Sequence, residues 1–153
     1  MDIDSIDKKG GLRLKEKKNV RASEEPLISI ITTVLNGEKH LEETILSIIN
    51  QDYKNIEYII IDGQSKDRTL EIIRKYENQI DIWISEKDDG IYYGFNKGLK
   101  LASGDLIGFV NSDDILLPNA LKTLVKYYRN FPKVDFIFGS VKKHWGILHG
   151  FKP

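Results

Sequence analysis

Leu106-Ile107-Gly108-Phe109-Val110-Asn111-Ser112-Asp113-Asp114 is an apolar run that ends in two adjacent carboxylates. An apolar strand gains by burial, whereas neighbouring aspartates resist it unless a shared proton or a cation neutralises them. At the exit of a buried strand, such a pair suits a hard divalent cation and a phosphate-bearing ligand. The alternative is a solvated turn capping the next helix, because Asp is favoured both in turns and at N-caps. These residues alone leave both readings open. A further carboxylate, Asp62, follows Ile59-Ile60-Ile61 and precedes Gly63, a residue that lets the backbone approach a ligand. There it can accept hydrogen bonds from ribose hydroxyls or base N–H groups, or act as a turn residue ahead of Ser65. No Gly-x-Gly-x-x-Gly follows the first apolar run, and no Gly-x-x-x-x-Gly-Lys-Ser/Thr occurs. Dinucleotide-binding and P-loop readings therefore lose their main support.

These carboxylates need elements to position them. Residues 27–34 are a β-branched apolar run of strand length, with the continuous hydrophobicity of a strand buried on both faces. Leu41, Ile45, Ile48 and Ile49 recur at helical spacing and predict a helix through Gln51. Residues 56–61 read as a second strand, and Ser65 as the N-cap of a helix to Tyr76, with Leu70, Ile73 and Tyr76 inward. A third strand is predicted over 80–84. A helix follows over 91–102, despite the propensity cost of Gly94 and Gly98. Residues 106–110 form a fourth strand, and Pro118 suits the first turn of a helix running to Arg129. A fifth strand is expected over 134–138, with 141–145 as its continuation. Strands alternating with helices imply right-handed crossovers and a mostly parallel sheet covered on both faces.

In such sheets ligands sit beyond the carboxyl ends of the strands. Those ends carry Thr33-Val34-Leu35-Asn36, Asp62-Gly63-Gln64-Ser65, Ser85-Glu86-Lys87-Asp88-Asp89-Gly90 and Asn111-Ser112-Asp113-Asp114. Polar and acidic residues thus gather on one edge, which marks a site.

Length and composition bound the rest. The 153 residues suffice for one domain with a real core. The net charge of zero gives no global signature of a nucleic-acid partner. Without cysteine there are neither disulfides nor thiolate metal sites. No run approaches the roughly 18 apolar residues of a membrane span, and the N-terminus lacks a signal-peptide core, so a cytoplasmic protein is expected. Residues 1–25 are charged and poor in large apolar side chains, and read as a flexible leader ahead of a domain over 26–153. Leu12 and Leu14 offer an edge strand. The basic residues Lys8, Lys9, Arg13, Lys15, Lys17, Lys18 and Arg21 offer contact with anionic lipid at the inner face of the cell membrane. His40, His144 and His149 are not at metal spacing and read as structural or exposed. Tyr127, Tyr128, Phe131, Phe136 and Phe138 read as core, whereas Trp83 and Trp145 are candidate sugar-stacking platforms.

The pattern as a whole resembles family 2 glycosyltransferases. Leu27-Ile28-Ser29-Ile30-Ile31-Thr32-Thr33-Val34-Leu35-Asn36 is similar to that family's opening strand. Ser47-Ile48-Ile49-Asn50-Gln51-Asp52-Tyr53 and Glu57-Tyr58-Ile59-Ile60-Ile61-Asp62-Gly63-Gln64-Ser65-Lys66-Asp67-Arg68-Thr69 resemble its second block. Asp88-Asp89-Gly90-Ile91-Tyr92, Asn96-Lys97-Gly98 and Ala102-Ser103-Gly104-Asp105 resemble its third, and Phe109-Val110-Asn111-Ser112-Asp113-Asp114 its variant of the Asp-x-Asp element. The resemblance implies a GT-A fold, a Rossmann-like sheet flanked by helices, that binds a nucleotide-diphosphate sugar, with a UDP-sugar the first choice. By that analogy Thr33 and Asn36 line the nucleotide pocket, Asp62 contacts the base, Asp88 lies in the donor-side loop and Asp113 sits near the ribose and sugar. Asp114 would ligate Mg²⁺ or Mn²⁺, which fits the chemistry, because the charge of a pyrophosphate leaving group must be neutralised as the glycosidic bond breaks. Lys97 or Arg68 is a weaker candidate for phosphate charge.

Two departures from the family stand out. Tyr93 and Gly94 occupy positions where close relatives commonly carry Asp and Ala. Relatives also continue for on the order of a hundred residues that build the acceptor side, including, in inverting members, a carboxylate general base. No residue of this chain matches that base, so no catalytic residue is assigned and a C-terminal truncation is expected. The expected function is metal-dependent sugar transfer to a saccharide or lipid-linked acceptor, in polysaccharide or cell-surface glycan synthesis. The alternative is a truncated, inactive relative serving as a nucleotide-sugar-binding or interaction module, possible homo-oligomers included. A nucleotidyltransferase would want a Gly-rich basic loop after the first strand, which Thr32-Thr33-Val34-Leu35-Asn36 is not.

Overall fold

The computed structural model describes residues 8–15, 25–131 and 133–139. In chain order the elements are β1 (Lys9–Gly10), α1 (Leu12–Lys15), β2 (Ile28–Val34), α2 (Leu41–Ile49), β3 (Ile56–Asp62), α3 (Thr69–Lys75), β4 (Ile82–Ser85), α4 (Ile91–Leu101), β5 (Leu106–Phe109) and α5 (Ala120–Asn130). The β-branched runs form the centre of one five-stranded sheet of order β1-β4-β3-β2-β5. β2, β3, β4 and β5 are parallel, and β1 joins antiparallel to β4. Every residue of β2 and β4 is buried, as expected of strands covered on both faces.

Alternation along the strands divides the core in two. Ile28, Ile30, Tyr58 and Ile60 pack with Leu41, Ile45 and Ile48 of α2, Ile73 of α3, and Leu121 and Val125 of α5. Ile31, Ile59, Ile61, Ile82 and Ile84 pack with Leu101 and Phe95 of α4 on the other face. The two glycines that weaken α4 by propensity serve its docking. A Cβ on Gly98 would lie 2.4 Å from Ile31 Cγ2, and one on Gly94 would lie 2.8 Å from Thr33 Cγ2. Only glycine lets this helix lie so close to β2.

A buried carboxylate ties the amino-terminal segment to this body. Glu57 is enclosed at the start of β3 and accepts hydrogen bonds from Ser29 Oγ, Ser103 Oγ (2.7 Å), Ser103 N–H (2.8 Å) and Arg13 Nη1 (3.1 Å). Arg13 Nη1 also donates to the Leu101 carbonyl at 2.7 Å. Within the segment expected to be a flexible leader, residues 8–15 therefore pair with β4 and supply the guanidinium that balances Glu57. Lys9–Gly10, rather than Leu12 and Leu14, form the edge strand.

Other expectations also need correction. No strand forms over 134–138, where Phe136 is 75% and Phe138 is 90% exposed, because no described strand lies alongside to accept the ladder. Tyr127 and Phe131 are likewise exposed and stack on each other instead of entering the core. The helix expected from Ser65 starts at Thr69, because Ser65 is engaged elsewhere. Pro118 lies just outside α5, whose first residue follows Asn119 in a left-handed conformation (φ 63°). His40 is exposed ahead of α2, in line with its expected role. Residues 141–145, His144, Trp145 and His149 lie outside the described residues.

Candidate functional site

The strand order creates a crevice. From β2 the chain moves through β3 to β4 in one direction, then returns to place β5 on the other side of β2. The carboxyl ends of β2 and β5 thus diverge at a switch point, where doubly wound sheets bind ligands. β5 ends at Phe109 opposite Ile31, two residues before Thr33 in the β2 register. Its exit turn is therefore carried beside the loop that follows β2. A Cβ on Gly37 would come 3.7 Å from Ser112 Oγ, which fixes the meeting of the two segments.

On the other side of β2, parallel register aligns Val34 with Asp62, and Asp62 with Ser85. Asp62 is fully buried and accepts from Ser85 Oγ (2.6 Å), Ser65 Oγ (2.5 Å) and Ser65 N–H (3.2 Å). Ser65 Oγ in turn accepts the Asn36 N–H at 2.7 Å, and Asn36 Oδ1 accepts the Lys66 N–H at 2.9 Å. Asn36 and Gln64 both have positive φ, 53° and 66°, which turns the two loops toward each other. The clamp continues outward. Gly37 N–H donates to Thr69 Oγ1 (2.8 Å), Glu38 N–H to Asp67 Oδ2 (3.0 Å) and Arg68 N–H to Glu38 Oε2 (3.1 Å). Burial alone would raise the Asp67 carboxyl pKa. Hydrogen bonds from the Thr69 hydroxyl and from the Glu38 and Thr69 amides outweigh it and hold that carboxyl below its ordinary value.

Asp88 completes this half. Its carboxylate oxygens lie 3.2 and 3.3 Å from where a Gly63 Cβ would sit, and Oδ1 accepts the Gly90 N–H at 3.1 Å. The hypothetical Cβ of Gly94 lies 3.5 Å from Asp88 Oδ2 and against Thr33, so Asp88, Gly63, Gly94 and Thr33 meet at one point of the edge. Thr33 is only 7% exposed, and its hydroxyl has no hydrogen-bond partner among the described residues. A buried hydroxyl in that state is a cost that a bound polar group can relieve.

Asp113 and Asp114 are exposed on the turn after β5. Asp114 N–H donates to the Asn111 carbonyl at 3.0 Å, and Asn111 Nδ2 donates to Asp114 Oδ2 at 2.9 Å. Among the described residues, no group of three or more His, Asp or Glu side chains could hold a metal ion. One or two carboxylates do suit Mg²⁺ or Mn²⁺ when waters and substrate phosphates complete the shell, so this donor set fits a shared site rather than a protein cage.

The six expected site residues thus fall into two groups. Thr33, Asn36, Asp62 and Asp88 share the β2–β3–β4 edge, while Asp113 and Asp114 stand beyond β5, linked to the first group through Gly37 and Ser112. Lys97 pairs with Glu86 at 2.9 Å and is committed there, and exposed Arg68 reaches Glu71 at 3.5 Å. Trp83 is buried against Gly10 and offers no stacking surface. The residues missed by sequence reasoning are Ser65, Ser85, Asp67 and Thr69 as clamp members. Ser85 had no local signal, since its tie to Asp62 comes from strand register alone.

Comparison with known proteins matches residues 29–152 to glycosyl transferase family 2. The chain belongs to glycosyl transferase family 2. It is 38% identical over 105 residues to an uncharacterized glycosyltransferase of Haemophilus influenzae, covering 67% of this chain and 42% of that one. It is 33% identical over 138 residues to an uncharacterized glycosyltransferase of Methanocaldococcus jannaschii, covering 85% of this chain and 48% of the relative. The chain thus spans less than half the length of these relatives. Among solved structures it resembles S. aureus TarS 1-349 in complex with UDP-GlcNAc, with a TM-score of 0.64 and 29% identity over 69% of this chain and 32% of the other. The sheet described above is that of a GT-A glycosyltransferase. Among its described residues, no helix of this family 2 chain is long and apolar enough to cross a membrane.

Proposed function

We propose that this chain is the donor-binding part of a glycosyltransferase that takes a sugar from a nucleotide-diphosphate sugar, a UDP-sugar being the first choice. The observation that carries the reading is the convergence of Thr33, Asn36, Asp62 and Asp88 with the Asn111–Asp114 turn around the switch point. Thr33, with its unpartnered hydroxyl, and the clamped Asn36 loop would receive the nucleoside. Asp62 acts through the loop it holds, since its own oxygens are already engaged by Ser65 and Ser85. Asp88 shapes the donor-side loop, and Asp113 lies toward ribose and sugar. Mg²⁺ or Mn²⁺ held by Asp114 would supply positive charge against the diphosphate leaving group. The UDP-GlcNAc complex of S. aureus TarS supports the class of donor. The acceptor is a saccharide or a lipid-linked saccharide, and the protein acts in the cytoplasm.

A second reading is favoured by one observation. Ile107 and Phe109 on β5, an edge strand among the described residues, are 46% and 51% exposed, which suits a surface that other polypeptide covers. In that reading the chain binds the donor and associates, while transfer requires residues from elsewhere. Thermal-shift and calorimetric titration with UDP, GDP and ADP, each with and without Mn²⁺, tests the donor assignment. Mn²⁺-dependent binding of UDP supports it, and no nucleotide binding under any of these conditions contradicts it. Sugar transfer or donor hydrolysis by a strictly monomeric chain contradicts the second reading.

A further inference from the structure

A second concavity lies at the opposite ends of the strands. Asn55, just before β3, accepts the Ile28 N–H at 3.0 Å, so the loop 52–55 marks the amino edge of the sheet. Between this loop and α5 opens a cleft of about 970 Å³. Lys54, Lys122, Lys126 and Arg129 line it, against the carboxylates Glu25 and Asp52, on a chain whose net charge is zero. Lys122, Lys126 and Arg129 recur at helical spacing on one face of α5 and span about 10 Å along its axis. Arg129 pairs with Glu25 at 2.9 Å, but both side chains are half exposed, and such a pair yields readily to a competing anion. Lys122 and Lys126 have no ion pair among the described residues. Tyr53 lies in the same cleft, but its hydroxyl already donates to the Pro26 carbonyl, so it forms wall rather than ligand contact.

We propose that this amino-edge cleft is a second site, which binds a phosphate-bearing ligand through Lys122 and Lys126, with Arg129 and Lys54 at its margins. Lys122 and Lys126 line the recess beside Lys54, whose Nζ donates to the Gln51 carbonyl at 2.7 Å, and a lining of this charge suits a hard oxyanion with more than one negative charge. The site is independent of the donor crevice, because the two open at opposite ends of the parallel strands. The ligand is either a free phosphate compound or the headgroup of an anionic lipid.

Two binding measurements in metal-free buffer test this and tell the sources apart. Calorimetry with inorganic pyrophosphate reads the free ligand, and co-sedimentation with phosphatidylglycerol against phosphatidylcholine vesicles reads the headgroup. Binding in at least one arm is expected, weakened at least ten-fold by the double substitution Lys122→Glu/Lys126→Glu and left intact by Asp114→Ala. Lys122→Gln/Lys126→Gln serves if the charge reversal unfolds the chain. Pyrophosphate binding alone assigns a free phosphate ligand, and phosphatidylglycerol binding alone assigns a lipid headgroup. No binding in either arm overturns the proposal, as does binding that the lysine substitutions leave unchanged or that Asp114→Ala abolishes.

Discussion

The two sides of the crevice are built in opposite ways. On the β2–β3–β4 side, apart from the Thr33 hydroxyl, polar groups around Asp62 hold one another, from Ser85 through Ser65, Asn36 and Thr69 to Asp67. On the β5 side, Asp113 and Asp114 stand on an exposed turn, tethered by Asn111 and neighboured by the half-exposed Ile107 and Phe109. Folding closes the first side except at the Thr33 hydroxyl. The second leaves its carboxylates free for groups from outside, as a shared cation site requires. Stability and ligand binding should therefore separate between the two sides, and substitutions can break or sharpen that contrast.

The largest effect belongs to the buried side. Asp62→Ala strands the Ser65 and Ser85 donors and should cost about 3 kcal/mol, read as a drop in the chemical-denaturation midpoint at unchanged m-value. Gly98→Ala comes next, because its Cβ would meet Ile31 Cγ2. Overpacking of that kind costs about 1–3 kcal/mol, and the penalty of the added methyl should shrink in an Ile31→Ala background, where the clashing Cγ2 is gone. Asp67→Asn should cost about 1 kcal/mol at neutral pH through the loop clamp. Its sign with pH follows from the lowered carboxyl pKa. The stabilisation is fully present above the ordinary value of 3.8 and is lost as pH falls through the folded-state value, so wild type and Asp67→Asn should converge in acid. A constant difference down to pH 2 would refute that role.

How much of this was legible in the sequence follows the same division. Local pattern carried the strands 27–34 and 56–61, because continuous β-branched burial has few other outcomes. It also carried the carboxyl-edge gathering, since strands joined by helical crossovers run parallel and all end on one side. What it missed depends on partners distant in sequence. Ser65 has the composition of an N-cap, yet its hydroxyl oxygen accepts the Asn36 N–H from a loop distant in sequence while its proton goes to Asp62. Residues 134–138 have the composition of a strand but no described neighbour to pair with, and pairing, not composition, makes a strand. Arg13 read as one basic residue in a charged leader, and only the packed Ser29-Glu57-Ser103 cluster shows what it neutralises.

The smallest effect on stability should accompany the largest effect on binding. Asp114→Ala removes an exposed side chain and should leave the unfolding free energy within about 0.5 kcal/mol of wild type. Calorimetric titration of UDP in the presence of Mn²⁺ into wild type and Asp114→Ala tests the central claim most directly. Affinity at least ten-fold weaker in the variant, with its thermal midpoint unchanged, is the predicted result. Equal affinity in the two proteins would contradict the assignment of the β5 turn as the cation-bearing side of the donor site.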